Sequence, residues 1–381
     1  MFKNCPSPDM PDGDYRVSAA GRSNSLSPSS AAARRAQTLK DYRGQILRRS
    51  LIVTGLGVLC LLAFAFDLST GPSRLSPLDV LIGLFDPDVL TLPQQTIIWQ
   101  VRLPQAIVAL LVGASLSLAG AEMQTVLNNP LASPFTLGVS SAASFGASLA
   151  IVLGLSLPFV SADWALPLNA FLFAFGSVLL LEAMSRSRAA GVETVVLFGI
   201  ALVFTFNALV ALIQYIASQE ALSQLVFWSM GSLSRATWEH ICVLSAMVAL
   251  VLPFSIRAAN GLTALRLGED RARSFGVNVA RLRFASLVRI SLLAATSVAF
   301  VGTIGFIGLV GPHIARLLLG EDHRFLLPAS LLTGALIMSL ASAVSKALVP
   351  GVLMPVGIVT SMIGVPVFLF LILGRRPERA A

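Results

Sequence analysis

The chain has 381 residues, of which 55% are hydrophobic and only 12% charged, with a mean hydropathy of +0.81; soluble domains average about 45–50% apolar and about 25% charged residues. That excludes an ordinary soluble protein and predicts a polytopic membrane protein. The net charge of +8 does not call for nucleic acid, because cytoplasmic loops of membrane proteins collect Lys and Arg.

Residues 1–49 are rich in Ser, Pro, Ala and Arg and carry nine Lys/Arg and four Asp. They read as a disordered, basic, cytoplasmic tail. A secretory leader is a poor fit, because the first apolar run begins only at Leu51. Residues 50–375 read as one transmembrane domain, a series of apolar stretches that do not alternate and so predict helices rather than a barrel.

Ten spans are predicted, at 50–67, 104–125, 137–157, 165–184, 194–216, 239–258, 284–302, 305–319, 326–345 and 354–373. With both termini inside, the outer loops hold only Arg74, Arg102, Arg235 and Lys346, as the bias of basic residues to the inside requires. Trp99, Trp164, Trp228 and Trp238 then fall at outer span ends, where tryptophan is favoured. The 305–319 span is short, contains Pro312 and follows Gly302 and Gly305, which predicts a tight re-entry. Ten spans divide into two groups of five, and an odd group size inverts the second group.

Between the sixth and seventh spans, Arg266–Arg283 packs seven charged side chains into eighteen residues. The segment has the punctuation of a short helix: Leu262, Leu265, Ala272 and Phe275 offer an apolar face, and Glu269, Asp270, Arg271 and Arg273 a polar rim. Gly276 can end that helix in a left-handed cap and Asn278 can cap the next span.

Missing motifs narrow the chemistry. There is no Gly-Lys pair and hence no phosphate-binding loop, so nucleotide hydrolysis by that route is excluded. His240, His313 and His323 lie far apart, and Cys5, Cys60 and Cys242 are scattered, so no catalytic, metal or cofactor site is assigned. Glu122, Glu182 and Arg289 lie near inner span ends and are expected to snorkel to water. Without a deep carboxylate, an ion-coupled secondary transporter is the weaker alternative.

Several stretches together resemble the FecCD-type permeases: Arg102-Leu-Pro104, Leu110–Gly120, Asn129-Pro-Leu-Ala132, Leu137-Gly-Val-Ser140, Phe227–Ser234, Leu267-Gly-Glu with Ala272–Gly276, and Gly305–Arg316. These are the membrane subunits of ATP-binding-cassette (ABC) importers for iron–siderophores, haem and cobalamin. The resemblance implies a bacterial inner-membrane permease, paired with a second permease subunit that is either a copy or a paralogue. It also implies two separate ATPase subunits inside and a substrate-binding protein outside. On that basis Leu267, Gly268, Glu269, Asp270, Arg271, Arg273, Ser274 and Gly276 are expected to contact the ATPase. Arg102 and Lys346 are expected to dock the binding protein, although Gln105 stands where a second Arg is common and Met354 where a Glu is frequent. Asn207, Gln214, Thr360, Ser361 and Met362 are expected to line the translocation path. The expected cargo is a ferric siderophore, with haem or cobalamin as alternatives.

Overall fold

The computed structural model describes residues 28–73, 75–185, 192–349 and 351–373. The chain forms two compact units, Met1–Arg48 and Arg49–Ala381. In the first, the described residues belong to helix α1, Pro28–Ser69, which continues into the second. Residues 28–49 are therefore helical rather than disordered. The physical reason is composition, since Ala, Arg, Gln, Leu and Lys dominate this stretch and all favour helix. Residues 1–27 of the expected tail lie outside the described residues, as do Arg74, Arg186 and Arg188.

Helix α2, Pro77–Phe85, opens with a capping box in which Ser76 and Asp79 satisfy each other's backbone N–H groups. Helix α3, Leu92–Thr96, passes through a π-helical turn at Ile97–Arg102 into α4, Leu103–Val126, to form one continuous rod. There follow α5 (Val139–Leu153), α6 (Ala162–Ser185), α7 (Val192–Ile216), α8 (Gln219–Ser229), α9 (Trp238–Leu265) and α10 (Glu269–Ser274). The chain continues with α11 (Val279–Val301), α12 (Ile307–Leu319), α13 (His323–Ala347) and α14 (Val356–Leu373). No strand occurs among the described residues. Among the described residues seven helices are long and apolar enough to cross a membrane. Three shorter apolar helices, Val139–Leu153, Ile307–Leu319 and Val356–Phe370, lie where the other predicted spans fall.

Helix α4 is the centre of the fold, with 83% of its most apolar window buried, against 17% for α7. Small residues on α4 make this possible, because helices in lipid associate by close backbone approach rather than by escape from water. A Cβ on Gly120 would sit 1.8 Å from the Gly308 carbonyl of α12, and one on Gly113 2.4 Å from the Gly334 carbonyl of α13. Between those two contacts, Ser117 Oγ donates to the Ser330 carbonyl at 2.6 Å. Replacing any of these by a larger residue would force α4 off its neighbours.

The expected tight turn before α12 is present, with Gly302 at φ 78° and Phe306 at φ 67°. Backbone bonds tie it to its surroundings. Ser232 N–H donates to Val301 at 2.7 Å, and Gly357 N–H donates to Gly231 at 3.2 Å. The end of α8, the α11–α12 turn and the start of α14 thus share one junction.

Candidate functional site

Helix α10 is short but firmly built. It ends in a paired hydrogen-bond motif: Val277 N–H reaches the Ala272 carbonyl at 3.0 Å, and Gly276 N–H reaches Arg273 at 2.9 Å. Gly276 takes φ 80°, as the left-handed cap requires. Asn278 Oδ1 then accepts from Arg281 N–H at 2.9 Å and starts α11. Glu269 pairs with Arg273 at 3.2 Å and also with Arg283, which ties the helix across to α11.

The apolar face differs from expectation. Leu262, Leu265 and Ala272 are buried; Leu262 belongs to the main core, and Leu265 and Ala272 with Val279 anchor α10 to its own flanking helices. The side chains offered outward are Leu267, 54% exposed, and Phe275, 67% exposed. Asp270, Arg271, Arg273 and Ser274 surround them at the surface. Gly268, at φ 106°, sets the sharp entry to the helix. A groove of about 610 Å³ runs alongside, lined by Thr263, Arg266, Leu267, Phe275, Glu321 and Arg324 among others.

Beneath this helix the last turn of α4 fans out polar side chains whose buried partners sequence reading missed. Glu122, expected to snorkel, is 1% exposed and takes two bonds from Arg289 Nε at 3.1 Å and one from Nη2 at 2.6 Å. Neither residue reaches water because the two charges lie on facing helices, α4 and α11, and neutralise each other. Gln124 Oε1 accepts from Arg316 Nη2 at 3.0 Å. Thr125 Oγ1 lies 2.7 Å from Nε2 of the fully buried His323, whose Nδ1 lies 3.2 Å from Thr263 Oγ1. Arg266 spans the remaining gap, with two bonds to Glu321 and one to Asn128. Burial acts to raise the Glu321 carboxyl, but hydrogen bonding from Arg266 and the charges of Arg316 and Arg266 outweigh it and leave it below its usual value. Asp322 is likewise lowered, mainly by hydrogen bonding from Arg324.

At the opposite end, Arg102 and Lys346 are not surface cations. Arg102 is 3% exposed and donates to the carbonyls of Leu68, Ser69 and Ser73. Lys346 is 5% exposed and pairs with Asp67, itself fully buried, at 2.8 Å. Both were expected to meet a binding protein; instead they clamp the end of α1 to α4 and α13. The reason is local, since the last turn of α1 leaves carbonyls without helical partners, and Arg102 satisfies them. Trp238 Nε1 donates to the Trp99 carbonyl at 3.2 Å, so these two tryptophans do share an end.

The expected path residues do not meet within one chain. Asn207 and Met362 are exposed and Gln214 is half-buried. Thr360 and Ser361 hydroxyls donate to the Gly357 carbonyl of their own helix. Helix α7 packs on α5 and α6, whereas α14 packs on α12 and α13. Among the described residues no group of three or more His, Cys, Asp or Glu is placed to hold a metal ion.

Comparison with known proteins places this architecture. The profile of the FecCD transport family matches residues 59–374. The hemin transport system permease of Yersinia pestis is 37% identical over 284 residues, covering 74% of this chain and 85% of that protein. A vitamin B12 import system permease of Vibrio cholerae is 36% identical over 281 residues, covering 73% and 83%. A solved structure of a metal-chelate type ABC transporter in an inward-facing conformation matches with a TM-score of 0.74 at 34% identity, covering 86% of this chain and 100% of that one. The chain belongs to the FecCD transport family and is the membrane-spanning permease of an ABC importer.

Proposed function

We propose that this permease moves a ferric siderophore into the cytoplasm across a bacterial inner membrane. Separate ATPase subunits drive it and a substrate-binding protein supplies it from outside. The observation that carries this reading is α10: a capped, ion-paired helix that holds Leu267 and Phe275 out into water. Two exposed apolar anchors ringed by charge on a rigid support fit the centre of a protein interface. The chain has no phosphate-binding loop, so the motor is a second protein. Leu267, Gly268, Glu269, Asp270, Arg271, Arg273, Ser274 and Gly276 form the docking face, with both chain termini on the same, cytoplasmic side.

The path forms between two permease subunits, a copy or a paralogue. The separation of α7 from α14 within one chain supports this, and Asn207, Gln214 and Met362 then face a shared cavity. Closure of the ATPase pair pushes α10 and rocks the two subunits between inward- and outward-open states. Cargo identity draws on relatives whose names refer to hemin, vitamin B12 and a metal chelate, all bulky chelates, while a further relative is named for molybdate, a small oxyanion. Haem and cobalamin are the alternatives. Ion-coupled transport is disfavoured because the buried Asp67 and Glu122 are each neutralised by a partner cation.

The test is reconstitution with co-purified ATPase and binding protein in proteoliposomes, followed by uptake of radioiron-labelled siderophore, haem or cobalamin. Uptake should require ATP and survive an ionophore. Uptake that persists without ATP and collapses with the ionophore would sink the proposal, and preference for haem or cobalamin would reassign the cargo.

A further inference from the structure

We infer that Arg266 is the joint through which movement of α10 reaches the buried helices, a reading that rests on α10 being the ATPase-docking face. Arg266 caps the end of α9 and stands three residues before α10 begins. Its guanidinium donates from Nε to Glu321 Oε2 at 3.2 Å, from Nη2 to Glu321 Oε1 at 2.8 Å and from Nη1 to Asn128 Oδ1 at 2.8 Å. One side chain thereby holds both the α12–α13 link and the α4–α5 link. Glu321 Oε1 is shared with Arg316 Nε at 3.1 Å, and Arg316 passes the connection to Gln124 on α4.

The other ion pairs of the charged segment stay inside it, joining Glu269 to Arg273 and Arg283, and Arg273 to Asp270. The apolar anchor of Ala272 also stays local, on Leu265 and Val279. Among the ion pairs and side-chain hydrogen bonds of the segment, Arg266 is therefore the polar route out of it, beside the apolar packing of Leu282 on the main core. Its chemistry suits the task, because a guanidinium fork grips a carboxylate with two parallel bonds and still has a third N–H for Asn128. A lysine supplies one point charge and no fork. The pair is also poised to move. Side-chain exposures of 22% for Arg266 and 40% for Glu321 keep it in reach of water, where such a pair adds little to stability and can break and re-form. Its role is then to fix register between helices in each transport state, which makes Arg266 a positioning residue.

The experiment uses the full importer, permease with ATPase and binding protein, in lipid nanodiscs. The readout is the factor by which the binding protein stimulates ATP hydrolysis, a signal that must cross from the opposite end and needs no cargo. Arg266→Gln and Glu321→Gln should each retain ATPase capture, melting temperature and basal hydrolysis while losing most of the stimulation. The double variant should lose no more than either single, because the pair acts as one unit. Arg266→Lys should give an intermediate value. Unchanged stimulation in Arg266→Gln, full stimulation in Arg266→Lys, or additive losses accompanied by a lower melting temperature would each overturn the assignment. If the unaltered chain captures no ATPase, the docking reading fails instead, so the two failures are distinguishable.

Discussion

The surface around α10, above the buried Glu122–Arg289 pair, and the opposite end of the molecule handle charge in opposite ways. At the α10 end, cations and carboxylates pair near the surface, with Arg266, Arg273, Glu269 and Glu321 all in reach of water. At the other end Asp67, Arg102 and Lys346 are withdrawn into the protein, and the exposed charges among the described residues include the carboxylates Asp86, Asp88, Asp163, Glu220 and Glu239. Surface pairs cost little to break, whereas a buried pair that loses one partner leaves a desolvated charge behind. The contrast implies a movable end and a fixed end, as the proposed push on α10 requires.

The largest expected effect tests the fixed parts. Glu122→Ala strands Arg289, and Asp67→Ala strands Lys346; each should cost about 3–5 kcal/mol, read as a fall in the melting temperature of detergent-purified protein. Glu321→Ala, at the movable end, should cost under about 1 kcal/mol. Comparable losses at all three positions would erase the contrast. Next comes the docking face: Leu267→Ser with Phe275→Ser should reduce ATPase capture at least tenfold, about 1.4 kcal/mol, without altering the melting temperature. Capture at the unaltered level would show that the exposed pair is not the anchor.

A smaller effect concerns the acidic end. Glu239→Lys with Asp88→Lys should change the association rate of the binding protein several-fold at low salt, and the change should fade as salt rises, because exposed charges steer encounter. Arg102→Gln should leave that salt dependence as it is, since the guanidinium faces carbonyls rather than a partner. A salt slope that responds to Arg102 and ignores Glu239 would restore the rim-cation expectation. The smallest effect is in pH. Glu321 and Asp322 have folded values below their unfolded ones, so their contribution is complete above the ordinary carboxylate range of about 4 and is lost as pH falls through the lowered values. The melting temperature should therefore owe no slope to these two groups between about pH 5 and 8; a slope there that Glu321→Gln removes would contradict the assignment.

Much of the fold is legible in local sequence because its signals are local. Apolar run length marked the helices, and Gly276 and Asn278 marked where α10 stops and α11 starts, since caps depend on residues only a few positions apart. Long-range pairing is not legible in this way. Glu122 and Arg289 are 167 residues apart, and Asp67 and Lys346 are 279 apart; seen singly, Glu122 and Arg289 looked like charges that would seek water, and Lys346 like a cation at the outer rim. Arg102 misled for a related reason, because its acceptors are backbone carbonyls that no side-chain pattern announces. The Ala-rich stretch after Pro28 misled in the other direction, its charge suggesting a tail while its propensities favoured a helix.

Sequence by itself determined that this is a membrane-embedded, helical chain with a charged segment set between apolar helices and no phosphate-binding loop in its 381 residues, and the motifs it shares with FecCD-type permeases pointed to transport. Those conclusions follow from hydropathy, from the bias of Lys and Arg, and from motifs present or missing, which need no knowledge of what touches what. Only the tertiary structure decided which charges work at the surface and which are spent inside. That depends on where facing helices bring side chains together, and in a low-dielectric interior the presence of a partner changes the cost of a charge by several kcal/mol.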